Sequence, residues 1–311
     1  MLEPLRTDNR LLWKPFSLGS SHGLCSPSLD WSRWHTWLEQ LPDLLASPTA
    51  SEIRYSSLLT TGRRTFQLCG ADGLPVIVKC YPAVSGDVKP SLGGEQTWGQ
   101  NWAAFCCHLE LWQEQLPVPE PLVFVEYRQE ASGVLCHAVT RLLEGCQPLT
   151  HFAFDNLCRR SVPPELLEKW VAAIVEAIVR LHRAGYSHGD LHHHNILVRA
   201  SVPEGGLQVF FADFDACERH VGVLPHQAQL HDLASLAASL YQLVPNGLLA
   251  KARARYIQAF RLEAASRKQC LQELRLGYHA FLSHYQACFQ RVEEFYFAQA
   301  ERDLVMAKVS S

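Results

Sequence analysis

The sequence predicts an α+β protein in two parts, a small antiparallel β half followed by a mainly helical half. Between about residues 55 and 140 the chain breaks into short apolar runs separated by turn signals, the texture of paired strands. After residue 141 it turns helical, and the stretch 165–183 puts Ile174, Ile178 and Leu181 on one face. A polar loop, residues 186–198, follows that helix directly and ends in a short apolar run.

Bulk properties narrow the function. With 311 residues, 48% hydrophobic and 19% charged, the chain can bury a sizeable core and is neither disordered nor fibrous. A net charge of −3 and a pI near 6.6 exclude a general nucleic-acid binder. No run approaches the ~18 apolar residues of a membrane span, and Met1–Phe16 lacks the apolar core of a secretory signal. Eleven cysteines without a CxxC pair fit thiols in a reducing cytosol.

In chain order, residues 1–25 show no period and are expected to form an irregular arm. Ser28 is the expected N-cap of a helix from Leu29 to Leu41, which Pro42 should end or kink. Its Trp31, Trp34, Leu38 and Leu41 share a face. Asp30, Glu39 and Asp43 outnumber Arg33, so the helix is expected to pack on the protein body rather than lie in a membrane interface. Strands are expected at 55–59, 64–69 and 75–81, the last two joined by the Gly70-Ala71-Asp72-Gly73 turn. A helix over 95–115, strands at 122–127 and 133–140, a connector at 141–145 and the 165–183 helix follow. A buried strand, 207–212, delivers Asp213-Phe214-Asp215, and an apolar helix begins at Asp232. The domain plan is an arm and amphipathic helix (1–54), a β lobe (55–140) and a helical lobe with a C-terminal extension (141–311).

The loop at 186–198 carries the chemistry. Asp190 and, five residues on, Asn195 have the spacing of a general base and a magnesium ligand in phosphoryl transfer. Asp213, at the end of an apolar strand some 23 residues later, suits the second metal ligand, and Asp215 could share the metal or orient the turn. Upstream, Val76-Ile77-Val78-Lys79 ends an apolar run in a lysine able to reach the α- and β-phosphates. His188 precedes the base, and His192 stands where kinases place a lysine near the γ-phosphate. His192-His193-His194 could suggest a metal site, but consecutive residues rarely converge on one ion. Taken together, these parts predict an ATP- and Mg²⁺-dependent phosphotransferase with a two-lobed, protein-kinase-like fold. Lys251, Arg253, Arg255, Arg261, Arg267, Lys268 and Arg275, opposed only by Glu263 and Glu273, suit an anionic acceptor.

His188-Gly189-Asp190-Leu191-His192, with Asn195-Ile196-Leu197, resembles the catalytic loop of aminoglycoside phosphotransferases. It is closer to that of the lipopolysaccharide core kinases, which phosphorylate Kdo or heptose. Arg63-Arg64-Thr65 before the Lys79 strand, Pro117-Val118-Pro119, Asp213-Phe214-Asp215 and Asp232-Leu233-Ala234 are similar to that family as well, over about residues 55–265. The resemblance implies ATP·Mg²⁺ as donor, with Arg64 and Lys79 on the nucleotide side. It also implies a lipopolysaccharide inner-core sugar as acceptor, and a peripheral place at the cytoplasmic face of the inner membrane.

One departure concerns the partner of Lys79. Kinases pair this lysine with a helix glutamate. Here Ala104 or Thr97 falls at that place, and Glu95 is the nearest carboxylate. A small-molecule kinase and a pseudokinase binding module are the alternatives on the same fold.

Overall fold

The N-terminal hairpin, expected to be irregular, is ordered strand. In the computed structural model β1 (Lys14–Leu18) and β2 (Ser21–Cys25) pair antiparallel, and β2 continues the ladder onto β8 (Pro121–Gln129). The structure describes residues 13–19, 21–46, 51–52, 64–84, 89–90, 97–98, 101–129, 133–158, 162–201, 206–240, 243–260 and 268–282. Gly23 is what lets β2 in: a Cβ there would stand 2.1 Å from the Phe124 carbonyl oxygen and 2.7 Å from the Phe16 ring.

The chain divides into two compact units. The first comprises residues up to Cys146, apart from 55–59, together with Phe210–Cys217; the second holds Gln147–Val209 and the residues from Glu218 onward. The first unit is built on a seven-stranded antiparallel sheet in the order β1-β2-β8-β9-β5-β4-β3. Its other strands are β3 (Ser51–Glu52), β4 (Arg64–Cys69), β5 (Pro75–Val84) and β9 (Gly133–Arg141). The expected hairpin of β4 and β5 forms: Gly70 N–H donates to the Leu74 carbonyl, Asp72 Oδ1 accepts from Leu74 N–H, and Gly73 has φ +81°.

Alternation along the strands sorts side chains onto two faces. Val76, Val78, Val123, Val125 and Val139 cluster with Trp34, Trp37, Leu38 and Leu41 of helix α1 (Trp31–Ala46). The expectation that this helix packs on the protein body therefore holds, and Trp37 Nε1 donates to the Cys69 carbonyl at 2.9 Å. Trp34, Leu38 and Leu41 are at most 1% exposed, each burial contributing about 2 kcal/mol. The helix starts later than expected because Asp30, not Ser28, caps it, its Oδ1 accepting from the Ser32 backbone and hydroxyl. Pro42 does not end it. Proline lacks the N–H that would reach the Leu38 carbonyl, and the Tyr127 hydroxyl donates to that carbonyl instead, at 3.3 Å.

On the opposite face Tyr81, Phe124, Cys136 and Ala138 cluster with Phe105 of helix α2 (Trp102–Gln113). This helix begins seven residues later than the sequence suggested. Thr97–Trp98 is instead a short strand, β7, paired with β6 (Lys89–Pro90). The expected strand at 55–59, Arg63 and Glu95 lie outside the described residues.

In the second unit α3 (Leu149–Ala153) runs into a π-helical turn, Phe154–Cys158, and α4 (Pro164–Arg183) opens with proline in its first turn. Gly185, at φ +86°, ends α4, and its carbonyl accepts from His220 N–H. The chain then enters β11 (Tyr186–Ser187), which pairs with β14 (Glu218–Arg219). Strand β12 (Ile196–Ser201) lies between β10 (Gln147–Pro148) and β13 (Gly206–Phe211). Helix α5 (His226–Ser239) starts six residues before Asp232, burying that residue rather than capping on it. With α6 (Asn246–Ala259) and a helix over residues 268–282 it closes a core of Leu230, Ala234, Ile257, Cys270 and Leu274.

Candidate active site

In the second unit the loop after β11 is held by its backbone. Asp232, fully buried on α5, accepts from His188 N–H at 2.7 Å with Oδ2 and from Gly189 N–H at 2.9 Å with Oδ1. His182 Nε2, on α4, is 3.1 Å from the same Oδ2, and His182 Nδ1 shares a 2.6 Å hydrogen bond with the Tyr256 hydroxyl of α6. Burial alone would raise the Asp232 carboxyl. The His182 hydrogen bond, the neighbouring imidazoles and the His188 N–H outweigh it and hold the group below its usual range. Two helices and the loop thus share one carboxylate.

That anchoring sorts the expected loop residues. His188 is completely buried. Asp190, two residues on, has a side chain 53% exposed, with His192 Nε2 3.6 Å from its Oδ2. Asn195 is buried, and its Nδ2 donates to the Asp190 carbonyl at 2.9 Å, which fixes the amide and turns Oδ1 into its acceptor side. The rings of His192, His193 and His194 lie 4.2–6.0 Å apart, centroid to centroid. His193 N–H donates to Ser239 Oγ, and His194 Nδ1 pairs with the Thr150 hydroxyl. Burial, with help from His192 and His151, pushes His194 down to about 3. Among the described residues no group of three or more His, Cys, Asp or Glu side chains is arranged to hold a metal ion.

The other expected residues gather in the first unit. Phe211 N–H donates to the Pro117 carbonyl, tying the 210–217 segment to the stretch before β8. Asp213 follows at φ +65°, a left-handed backbone that costs of order 1 kcal/mol outside glycine. Lys79 Nζ on β5 donates to Asp213 Oδ1 at 2.5 Å and to Asp215 Oδ2 at 2.8 Å. Tyr81, two residues along the same strand, donates its hydroxyl to Asp215 Oδ1 at 3.0 Å. Arg64 begins β4 opposite Cys80, beside the Lys79 strand, with its guanidinium 4.6 Å from the Phe66 ring centroid.

In the first unit Asp213 is an oxygen donor of the kind a hard cation takes and Lys79 a cation suited to phosphate; in the second, the Asn195 amide oxygen is a donor of the same kind. Sequence reasoning assigned neither Asp232 nor Tyr81 a part in the site. Asp232, expected to open an apolar helix, lies buried inside α5; the signal available was the isolated carboxylate within Leu230–Leu240. Tyr81 lies two residues after Lys79 on β5, at the i+2 spacing that puts both on one face.

A family model described as lipopolysaccharide kinase (Kdo/WaaP) matches residues 102–260, just over half of the chain. The chain belongs to the Kdo/WaaP lipopolysaccharide kinase family. Two relatives named 3-deoxy-D-manno-octulosonic acid kinase, from Xanthomonas oryzae pv. oryzae (strain PXO99A) and Xanthomonas axonopodis pv. citri (strain 306), are 34% identical over 116 residues. That alignment covers 37% of this chain and 41% of each relative, so the chain spans about two-fifths of the length of the curated relatives it matches. A solved structure, WaaP in complex with acyl carrier protein, is similar at a TM-score of 0.56 and 19% identity, over 83% of this chain and 95% of that one. That likeness concerns the fold, and the kinase-like α+β architecture expected from the sequence is the one this family member adopts. Among its described residues no helix is long and apolar enough to cross a membrane.

Proposed function

We propose that this chain transfers the γ-phosphoryl group of ATP·Mg²⁺ to a sugar hydroxyl of the lipopolysaccharide inner core, Kdo or heptose, at the cytoplasmic face of the inner membrane. The observation that carries the reading is the loop inside the family-matched segment. Its backbone is pinned by Asp232 at residues 188 and 189, while the next residue, Asp190, keeps an exposed carboxylate.

In this reading Asp190 accepts the proton of the attacking hydroxyl, and His192 keeps that carboxylate oriented. Asn195 Oδ1 and Asp213 are the oxygens that would hold Mg²⁺, which when bound neutralises phosphate charge. Lys79 supplies a fixed positive charge for the donor phosphates, and Arg64 a second one on the nucleotide side. The basic residues of α6 and beyond, Arg253 and Arg275 among them, suit an anionic core sugar. The test is phosphate transfer from ATP by the purified chain to deacylated core oligosaccharide ending in Kdo or carrying heptose. Asp190→Asn should lower turnover by ~10²–10⁴-fold. Full turnover in that variant, or an unchanged core phosphate count by mass spectrometry in a strain lacking the protein, would refute the proposal.

A second partner, an acyl carrier, is favoured by one feature of the second unit. A cavity of about 720 Å³ is bounded by α4, α5 and α6 side chains such as Trp170, Ile174, Ile178 and Leu249. Arg253 and Arg275 are the charged residues of its described lining. Its volume lies within the ~300–1,000 Å³ of ligand pockets. An acyl chain with an anionic head matches that lining, and displacement of a fluorescent fatty acid, abolished by Ile174→Trp, would test it.

A further inference from the structure

We infer that Asp215, braced by the Tyr81 hydroxyl, is the carboxylate that positions Lys79 for the donor phosphates, in the role that kinases give to a helix glutamate. The inference rests on the phosphotransferase reading above and concerns side chains of the first unit alone.

Lys79 and Tyr81 alternate on β5 and so share the face turned toward α2, where Tyr81 clusters with Phe105. Asp213 and Asp215 have the same spacing around Phe214, so two i, i+2 pairs oppose each other. Lys79 bridges both carboxylates, but the two acids are not equivalent. Asp215 gives Oδ2 to Lys79 and Oδ1 to Tyr81, so each oxygen has a directional partner and the group is fixed against rotation. It is also drier, 14% exposed against 35% for Asp213, so its attraction to Lys79 is less screened. The Tyr81 ring lies under the same ammonium, its centroid 5.2 Å from Nζ. Asp213, more open and on a left-handed backbone, is the carboxylate available to a cation. Once Asp213 is drawn to a cation, Asp215 still holds the lysine.

The acid that helix α2 carries, Glu110, forms no ion pair with Lys79. The side chain the helix packs on Phe214 is His108, with ring centroids 4.6 Å apart and Nε2 on the Pro119 carbonyl at 2.8 Å. An imidazole has no negative charge to offer the lysine, and burial, with the Lys79 charge pushing the same way, takes His108 down to about 4, so near pH 7 it is neutral and does not repel Lys79 either. Among the described residues the ion pairs of Lys79 run to the 213–215 turn.

The test compares the full-length protein with Asp215→Asn, Asp215→Glu, Tyr81→Phe and Glu95→Gln by two measurements. The first needs no nucleotide: acetylation of Lys79 by an amine-directed ester at one fixed pH, followed by peptide mass spectrometry. Asp215→Asn should speed labelling about tenfold, and Tyr81→Phe about threefold, as the ammonium loses a charge-assisted partner or that partner loosens. The second is the ATP·Mg²⁺ dissociation constant by calorimetry. It should rise about tenfold in Asp215→Asn and recover in part in Asp215→Glu, with urea midpoints close to the parent. Unchanged labelling in Asp215→Asn overturns the inference, as does a loss of nucleotide affinity in Glu95→Gln with none in Asp215→Asn. Faster labelling in Asp215→Asn, in a parent that binds no ATP·Mg²⁺, would sink the phosphotransferase reading and leave the Lys79–Asp215 pairing supported.

Discussion

Removing Asp232 tests how the loop at 186–198 is held. Its carboxylate is fully buried and serves three donors, His188 N–H at 2.7 Å, Gly189 N–H at 2.9 Å and His182 Nε2 at 3.1 Å. Hydrogen bonds to a charged group contribute roughly 1.5–3 kcal/mol each. They are coupled through one residue, so the loss on truncation should be less than their sum. Breaking a buried charged network by removing one partner costs about 3–5 kcal/mol, and Asp232→Ala is expected in that range. Asp232→Asn keeps an acceptor but brings an amide donor against at least one N–H, and should cost about half as much. Urea denaturation followed by intrinsic fluorescence measures the change. Amide exchange at residues 188 and 189 locates it, since those two protons lose their acceptor. A loss below about 1 kcal/mol for Asp232→Ala, with exchange at 188 and 189 unaltered, would refute the claim that this carboxylate organises the loop.

Other outcomes follow from particular contacts. Among the described residues burial holds five imidazoles below an ordinary 6.5, His108 and His137 at about 4, His194 at about 3, and His151 and His193 lowered as well. Well above pH 6.5 they are neutral folded or unfolded. As pH falls below it the unfolded chain takes up protons that the folded one refuses. Each group should therefore lower stability by about 1.4 kcal/mol per pH unit until its folded value is reached; urea midpoints that stay flat from pH 7 to about 5 would contradict this. Cys69 is exposed, whereas burial, with Glu110 and Cys107 adding to it, pushes the Cys106 thiol up to about 12. Near pH 8 only about one Cys106 in 10⁴ is thiolate, so iodoacetamide should label Cys69 far faster, and equal rates would count against that environment. Tyr127→Phe should cost about 1 kcal/mol by leaving the Leu38 carbonyl without its donor. In a Pro42→Ala background the cost should shrink, because the backbone N–H restored by that substitution can take over the carbonyl.

Local signals carried much of this molecule. The β4–β5 hairpin was readable from its turn chemistry, and α4 because Ile174, Ile178 and Leu181 recur on one face. The Asp190–Asn195 spacing and the strand-end Asp213 and Lys79 stood out for the same reason: each lies at a fixed offset from an apolar element. What escaped depends on distant partners. Lys14–Leu18 and Ser21–Cys25 show little alternation, and their strand character comes from β8, about a hundred residues away. Pro42 looked like a helix breaker because the Tyr127 hydroxyl that compensates for it belongs to a strand far downstream, 89 positions from the Leu38 carbonyl it serves. The start of α2 shifted because 97–98 found a strand partner at 89–90. Asp232 read as the start of a helix since nothing nearby in sequence tells a buried acid from a solvated one; its partners lie 43, 44 and 50 positions upstream.

The N-terminal hairpin also decides which backbone the sheet leaves open to other chains. Without it the outermost strand on that side would be β8, whose Leu122-Val123-Phe124-Val125 run is wholly buried. Such a strand, with its N–H and C=O groups unpaired, is a template for pairing between molecules. The hairpin moves that boundary outward to β1, where Lys14 and Pro15 are exposed. A lysine charge and a residue with no N–H to offer are both poor invitations to another strand. Starting the chain after Cys25 would remove no residue assigned to the chemistry, yet would leave a protein prone to aggregate as it is made.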